Sequence, residues 1–252
     1  MQDNEPHPIK KLMIGGPSRR ALTAGFGALA ASNVLRPIPS RASPYQPPNL
    51  LGCTGFVTVG DRFLTMYLWA YNVNNGNVFI HQLIGPGNGN DPFRESVTWP
   101  TDTTTATWDK GFSSFVSISL EENRGPYIWA YRSSDGRLCI HRIDDGGSGF
   151  TQKFISNLDT EFSGFARVGS SAPHETNFIL AYRIWDGLVC IYEIKSDGTG
   201  ITEKYRGRWQ FGFTHFTGYN HGEKMYVLAY RGYDGVICVL NISQDGNGFS
   251  QV

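Results

Sequence analysis

Apolar and polar positions over residues 50–252 follow one pattern repeated four times. Each unit opens on Gly-Phe, runs along a strand-like stretch ending in Ala-Tyr, turns through Asn-Gly or Asp-Gly, and returns as a second apolar stretch. The Gly-Phe pairs are Gly55-Phe56, Gly111-Phe112, Gly164-Phe165 and Gly212-Phe213, spaced 56, 53 and 48 residues apart. The Ala-Tyr pairs are Ala70-Tyr71, Ala130-Tyr131, Ala181-Tyr182 and Ala229-Tyr230. The turns end in Asn75-Gly76, Asp135-Gly136, Asp186-Gly187 and Asp234-Gly235. Two β-branched and aromatic runs around such a turn predict a hairpin. A period near 50 residues built of short strands predicts a circular or stacked β array.

The second hairpin strand is apolar on both faces. One face carries Val78 and Ile80, Leu138 and Ile140, Val189 and Ile191, Ile237 and Val239; the other carries Phe79, Cys139, Cys190 and Cys238. A strand without polar alternation is covered on both sides, which neighbouring blades of a propeller supply. A Gly-rich second turn follows in each unit, as in Asp197-Gly198-Thr199-Gly200, and then a further strand. With the segment after Gly-Phe this gives four strands per unit. No helix is predicted. The expected fold is therefore all-β, a propeller of four four-stranded blades. Pairing of a strand around Tyr45–Cys53 beside Gly248–Val252 would close the ring and remove its open edges. The alternative is an open arc completed by a second chain, or a shortened gene.

Residues 1–42 differ in character. Ser18-Arg19-Arg20 precedes a mildly apolar stretch, Ala21 to Ala31, and Ser40-Arg41-Ala42 offers small residues around a cleavage point. This resembles a twin-arginine export signal, the alternatives being a disordered tail or an organelle transit peptide. The domains expected are 1–42 as signal or tail and 43–252 as propeller, secreted or periplasmic. Without residues 1–42, the 252-residue chain keeps 16 basic and 20 acidic side chains, a net charge of −4. An acidic domain without a basic run does not suit nucleic acid. No apolar run reaches the roughly 18 residues of a membrane helix.

Cys139, Cys190 and Cys238 share one repeat position, about a sheet-packing distance of roughly 10 Å apart, which is beyond disulfide reach. They read as buried, unbridged thiols. His81 and His141 are equivalent, but Tyr192 and Leu240 replace them in the other copies, so packing is favoured over a metal. No catalytic residue, metal site or cofactor is predicted. No nucleophile elbow, zinc helix, P-loop or dinucleotide fingerprint occurs. Trp108 and Trp209, three residues before a Gly-Phe, are expected in the core between blades.

The candidate ligand residues are Arg132, Arg183 and Arg231, each after the strand-ending Tyr, with Trp185 and Tyr233 at hairpin tips and Glu193 on a second hairpin strand. Arg offers a fixed donor fork, and aromatic faces cover the apolar face of a sugar. The competing reading of the arginines is structural, each bonding to a neighbouring blade or stacking on an aromatic ring.

Aromatic-ending strands, Asp-Gly hairpins and Gly-rich second turns over residues 50–252 resemble the β-propeller lectins of the tectonin-like and fucose-binding types. That resemblance implies glycan binding between blades through Arg, acidic and aromatic side chains. The expected function is a non-catalytic, exported carbohydrate-binding propeller, with a glycan or a protein surface as partner and oligomers allowed. Two alternatives stay open: a scaffold for protein contacts, and an extracytoplasmic propeller hydrolase or lyase. An enzyme should carry a non-repeated cluster of acids or His at one ring face. The longest insertion, Asn88 to Thr107 with Asp91, Glu95 and Asp102, is where the sequence directs that search.

Overall fold

The structure is a computed structural model. It describes residues 53–60, 66–83, 93–99, 108–120, 125–144, 149–169 and 177–252, with 81–83 and 93–99 described in backbone only. The signal-like residues 1–42, the segment 45–52 expected to close the ring, and Asp91 and Asp102 lie outside the described residues, as does the side chain of Glu95.

Among the described residues all sixteen elements are strands, grouped into four antiparallel sheets of four consecutive strands. Blade 1 holds β1 (Gly55–Gly60), β2 (Met66–Tyr71), β3 (Val78–Leu83) and β4 (Phe93–Trp99). Blade 2 holds β5 (Ser114–Ser119), β6 (Pro126–Arg132), β7 (Arg137–Ile143) and β8 (Phe150–Asn157). Blade 3 holds β9 (Gly164–Gly169), β10 (Asn177–Tyr182), β11 (Leu188–Ile194) and β12 (Ile201–Arg208). Blade 4 holds β13 (His215–His221), β14 (Lys224–Arg231), β15 (Val236–Ile242) and β16 (Phe249–Gln251). This is the predicted four-blade, all-β propeller arrangement. The fourth strand of blade 4 comes from its own repeat, and among the described residues no N-terminal strand pairs with it.

The register places Phe56, Phe115, Phe165 and Phe216 in one position, each opposite the Ala of its Ala-Tyr pair. The Gly-Phe pairs of the sequence therefore belong to two frames. Gly55-Phe56 and Gly164-Phe165 lie in inner strands. Gly111-Phe112 and Gly212-Phe213 lie three residues earlier, in the linkers, where blade 3 has Glu161-Phe162. At that linker position Gly111, Glu161 and Gly212 have positive φ, of 86°, 65° and 89°.

Blades join through one repeated contact. The ring of Phe115 packs on Tyr71 of the preceding blade at 5.1 Å, Phe165 on Tyr131 at 4.9 Å, and Phe216 on Tyr182 at 4.8 Å. The same tyrosine hydroxyls donate to linker carbonyls of Asp109, Asp159 and Gln210 at 2.7, 2.7 and 2.9 Å. They also accept from the backbone N–H of Phe112, Phe162 and Phe213. Trp108 stacks on Phe112 at 4.5 Å and Trp209 on Phe213 at 4.3 Å, so both sit between blades as predicted. The turn glycines Gly76, Gly136 and Gly187, at φ of 78°, 74° and 69°, also lie at this seam. A Cβ there would collide with the carbonyl oxygens of Trp108, Leu158 and Trp209. Each is required both for its left-handed backbone and for the close approach of the linker.

The hairpin strands of blades 2 and 3 are buried on both faces, as their composition predicts. Those of blade 4 alternate instead, with one face on blade 3 and the other open. Cys139, Cys190 and Cys238 are buried free thiols. Burial raises the pKa of each.

Candidate functional site

The four inner strands β1, β5, β9 and β13 line an open cavity of about 410 Å³, to which β1 contributes Val57. Small and polar residues in these strands let their backbones converge. Gly218 is an example, since a Cβ there would collide with the carbonyl of Arg167 on the facing strand. The lining combines aromatic rings of Phe115, Phe165, Phe216 and Tyr219 with the polar Ser117, Arg167, Thr217 and Asn220.

Arg167 stands at the centre of this chemistry. It is the only Asp, Glu, Lys or Arg in the four inner strands. Its Nε donates to Oδ1 of Asn177 at 3.1 Å, and Asn177 is buried at the start of β10. A buried amide thus fixes the guanidinium, a planar donor fork suited to a carboxylate, phosphate or polarised carbonyl oxygen. Among the described residues no carboxylate lines the cavity, and no group of His, Cys, Asp and Glu is placed to hold a metal. Arg167 was not a sequence candidate. Its signal was the lack of repetition: its equivalents are Thr58, Ser117 and Gly218.

The sequence candidates lie elsewhere. Arg132, Arg183 and Arg231 each fold back on the turn Asp of their own hairpin. Nε and Nη2 pair with both carboxylate oxygens of Asp135 at 2.9 and 2.6 Å, of Asp186 at 2.9 and 2.8 Å, and of Asp234 at 3.0 and 2.9 Å. The third nitrogen reaches the preceding linker, at the Lys110 carbonyl, the Thr160 carbonyl and Oε1 of Gln210. Hydrogen bonding to Arg183 holds the Asp186 carboxyl at about 2. The same bond from Arg132 and Arg231 lowers Asp135 and Asp234. In the structure, then, all three arginines make turn and linker contacts.

Trp185 and Tyr233 are exposed tips, at 59% and 66%. The Arg183 guanidinium lies 4.4 Å over Trp185, whose indole N–H donates to Glu161 at 2.9 Å; Arg231 lies 5.1 Å from Tyr233. Glu193 is not brought to them. It sits four positions along β11 from Val189, about 13 Å at the rise of a strand, and faces Lys204 at 3.4 Å. His141 is buried against Trp108 and Phe150, with both ring nitrogens lacking a hydrogen-bond partner among the described residues. The side chain of His81 is not described.

No protein-family model and no curated protein matches the chain. Solved structures do. A structure from Bacteroides fragilis assigned provisionally as a 6-phosphogluconolactonase superposes with a TM-score of 0.54 at 12% identity, over 79% of this chain and 53% of its own. A GH43 β-1,3-galactosidase gives 0.53 at 12%, over 80% and 46%. The exo-β-1,3-galactanase of Phanerochaete chrysosporium, solved with β-1,3-galactotriose, gives 0.50 at 9%, over 79% and 52%. The chain spans about half the length of these structures. At such identities the likeness is one of fold. It corrects one expectation nonetheless: the three solved proteins named above carry the names of enzymes, not of sugar-binding lectins. The non-catalytic carbohydrate-binding reading is therefore set aside, and the hydrolase or lyase alternative is carried forward.

Proposed function

We propose that this propeller belongs to a hydrolase acting on a carbohydrate or a sugar-derived ester, with substrate held at the axial cavity. The observation that carries the reading is Arg167. It is a single charged, non-repeated side chain, fixed by buried Asn177 inside a cavity of about 410 Å³ lined by all four inner strands. A cavity of that size takes one or two sugar rings. The aromatic rings of the lining offer apolar faces for a sugar, and the guanidinium offers donors to an oxygen that gains charge in the reaction.

Hydrolysis also needs a proton donor and acceptor, and glycoside cleavage needs a pair of carboxyl groups in most families. Glu223 follows β13 in the turn before β14. In the sequence, Asp61, Glu121, Glu122 and Glu175 fall in the three equivalent connections between first and second strands, outside the described residues. The solved relatives in fold include enzymes named for β-1,3-galactan and lactone substrates, so both bond types belong in the test.

The purified full chain should be assayed on β-1,3-galacto-oligosaccharides, aryl β-galactosides and aldonolactones. Turnover of one class, lost in Arg167→Ala and in one of Asp61→Asn, Glu121→Gln, Glu122→Gln, Glu175→Gln or Glu223→Gln, is the expected result. No turnover of either class by folded protein, or activity indifferent to Arg167, would sink the reading.

A further inference from the structure

The two end blades present complementary halves of the contact that already joins the other blades. The receiving half, on blades 1 to 3, is a tyrosine ring flanked by apolar second- and third-strand side chains. Tyr71, Tyr131 and Tyr182 are fully buried, as are Val78, Leu138 and Val189 on the facing strand. Blade 4 carries the same chemistry at the same register, Tyr230 opposite Ile237. There Tyr230 is 37% and Ile237 61% exposed. No hydrogen bond like those of Tyr71, Tyr131 and Tyr182 is made by the Tyr230 hydroxyl among the described residues. No atom lies within 4 Å of a Cβ built on Gly235, whereas the three equivalent glycines meet a linker carbonyl.

The inserting half is Phe56, equivalent to Phe115, Phe165 and Phe216, which each pack on a tyrosine of the preceding blade. Phe56 is 52% exposed. Both halves are open in the same folded chain, so blade 1 does not fill blade 4 from within.

We propose that blade 4 of one copy receives blade 1 of a second copy, head to tail, and that two such contacts close a dimeric ring. The occupant is a second copy because its blade 1 presents the half that blade 4 lacks, in an interface the fold has already built three times. The contact is heterologous, and such contacts close when the rotation permits. Two chains make eight blades, within the range of about 4–8 that propellers adopt. Closure would bury two exposed apolar faces that a soluble monomer seldom keeps open. In the dimer the Tyr230 hydroxyl accepts from the backbone N–H of Cys53 of the second copy, as Tyr182 does from Phe213. This inference concerns assembly and stands whether or not the cavity is catalytic.

Sedimentation of the full chain should show a dimer, and Ile237→Arg and Phe56→Arg should each lose it while keeping the wild-type circular dichroism spectrum. Both positions are exposed, so folding is spared. Mixing the two variants should restore a weaker dimer, since one wild-type seam remains between them. A photo-crosslinker at position 237 should join two chains through blade 1. A wild-type monomer at all concentrations, assemblies that grow without limit, a dimer unaffected by both substitutions, or an intramolecular crosslink to blade 1 would each overturn the proposal.

Discussion

The Tyr182 hydroxyl joins two blades by itself: it donates to the Gln210 carbonyl at 2.9 Å and accepts from the Phe213 N–H at 3.3 Å. Tyr182→Phe removes both bonds and leaves a buried amide beneath Trp209 and Phe213. An unsatisfied buried backbone group costs about 1–3 kcal/mol, so urea denaturation should show a loss of that size. Tyr230→Phe, at the same register in blade 4, lacks these bonds and should change the stability of the dissociated chain by less than about 0.5 kcal/mol. Equal losses would show that the hydroxyls do not hold the seams.

The arginine ladder gives a second comparison. Arg183 ties Asp186 and the Thr160 carbonyl together over the turn, and its side chain is only 16% exposed. Arg183→Ala should therefore cost roughly 1–3 kcal/mol. Arg183→Lys should recover little of it, because an ammonium cannot match the two-pronged carboxylate. Asp186 follows in pH. Its folded pKa is depressed to about 2 from an ordinary 3.8. The stability it contributes is present above pH 3.8 and lost as pH falls toward 2. Asp186→Asn should remove that part of the acid transition, read by thermal melts between pH 5 and 2.

Much of this architecture is legible in the sequence, because local patterns repeat. The hairpins, their Asp-Gly turns, the buried cysteines and the linker tryptophans all follow from residue type and spacing. The frame was harder to read because each unit holds two aromatic positions three residues apart, as in Phe213 and Phe216, and Gly precedes either one. The arginines were ambiguous because the residue three places on, Asp135, Asp186 or Asp234, decides whether the fork faces inward or solvent. Arg167 escaped notice because its importance arises from convergence of four strands distant in sequence. The four-unit count left an open arc as an alternative, but nothing in the residues of blade 4 marks its face as open. Tyr230 and Ile237 are the residue types that are buried in blades 1 to 3, and among the described residues no neighbouring blade covers them.

His141 supplies a pH dependence of opposite chemistry. It is buried between Trp108 and Phe150 without a hydrogen-bond partner among the described residues, and burial pushes its pKa down to about 3 from 6.5. The folded chain thus keeps it neutral while the unfolded chain protonates it below pH 6.5. Stability is unaffected above 6.5 and falls as pH drops from 6.5 toward 3, by up to roughly 1.4 kcal/mol per pH unit. Leu240 holds the equivalent position in blade 4, so His141→Leu is compatible with the fold. Urea midpoints from pH 7 to pH 4 should decline more steeply for the wild type than for His141→Leu. Parallel slopes would mean that water or a proton reaches the ring.

Glu161 is the only described non-glycine residue with positive φ, at 65°, where Gly111 and Gly212 serve the neighbouring blades. A left-handed backbone costs a residue with a side chain of this kind about 1–2 kcal/mol relative to glycine. Against that stands one exposed hydrogen bond, from the Trp185 indole at 2.9 Å, of the kind that contributes no more than about 1 kcal/mol. Relief of backbone strain exceeds the lost bond, partly offset by the greater freedom of glycine in the unfolded chain. Glu161→Gly should therefore leave stability unchanged or raise it by up to about 1 kcal/mol, while freeing Trp185. Tryptophan fluorescence separates the two effects: the melting midpoint should hold or rise as acrylamide quenching of the exposed indole increases. A drop of more than about 1 kcal/mol would show that the Glu161–Trp185 bond, rather than the backbone, governs this linker.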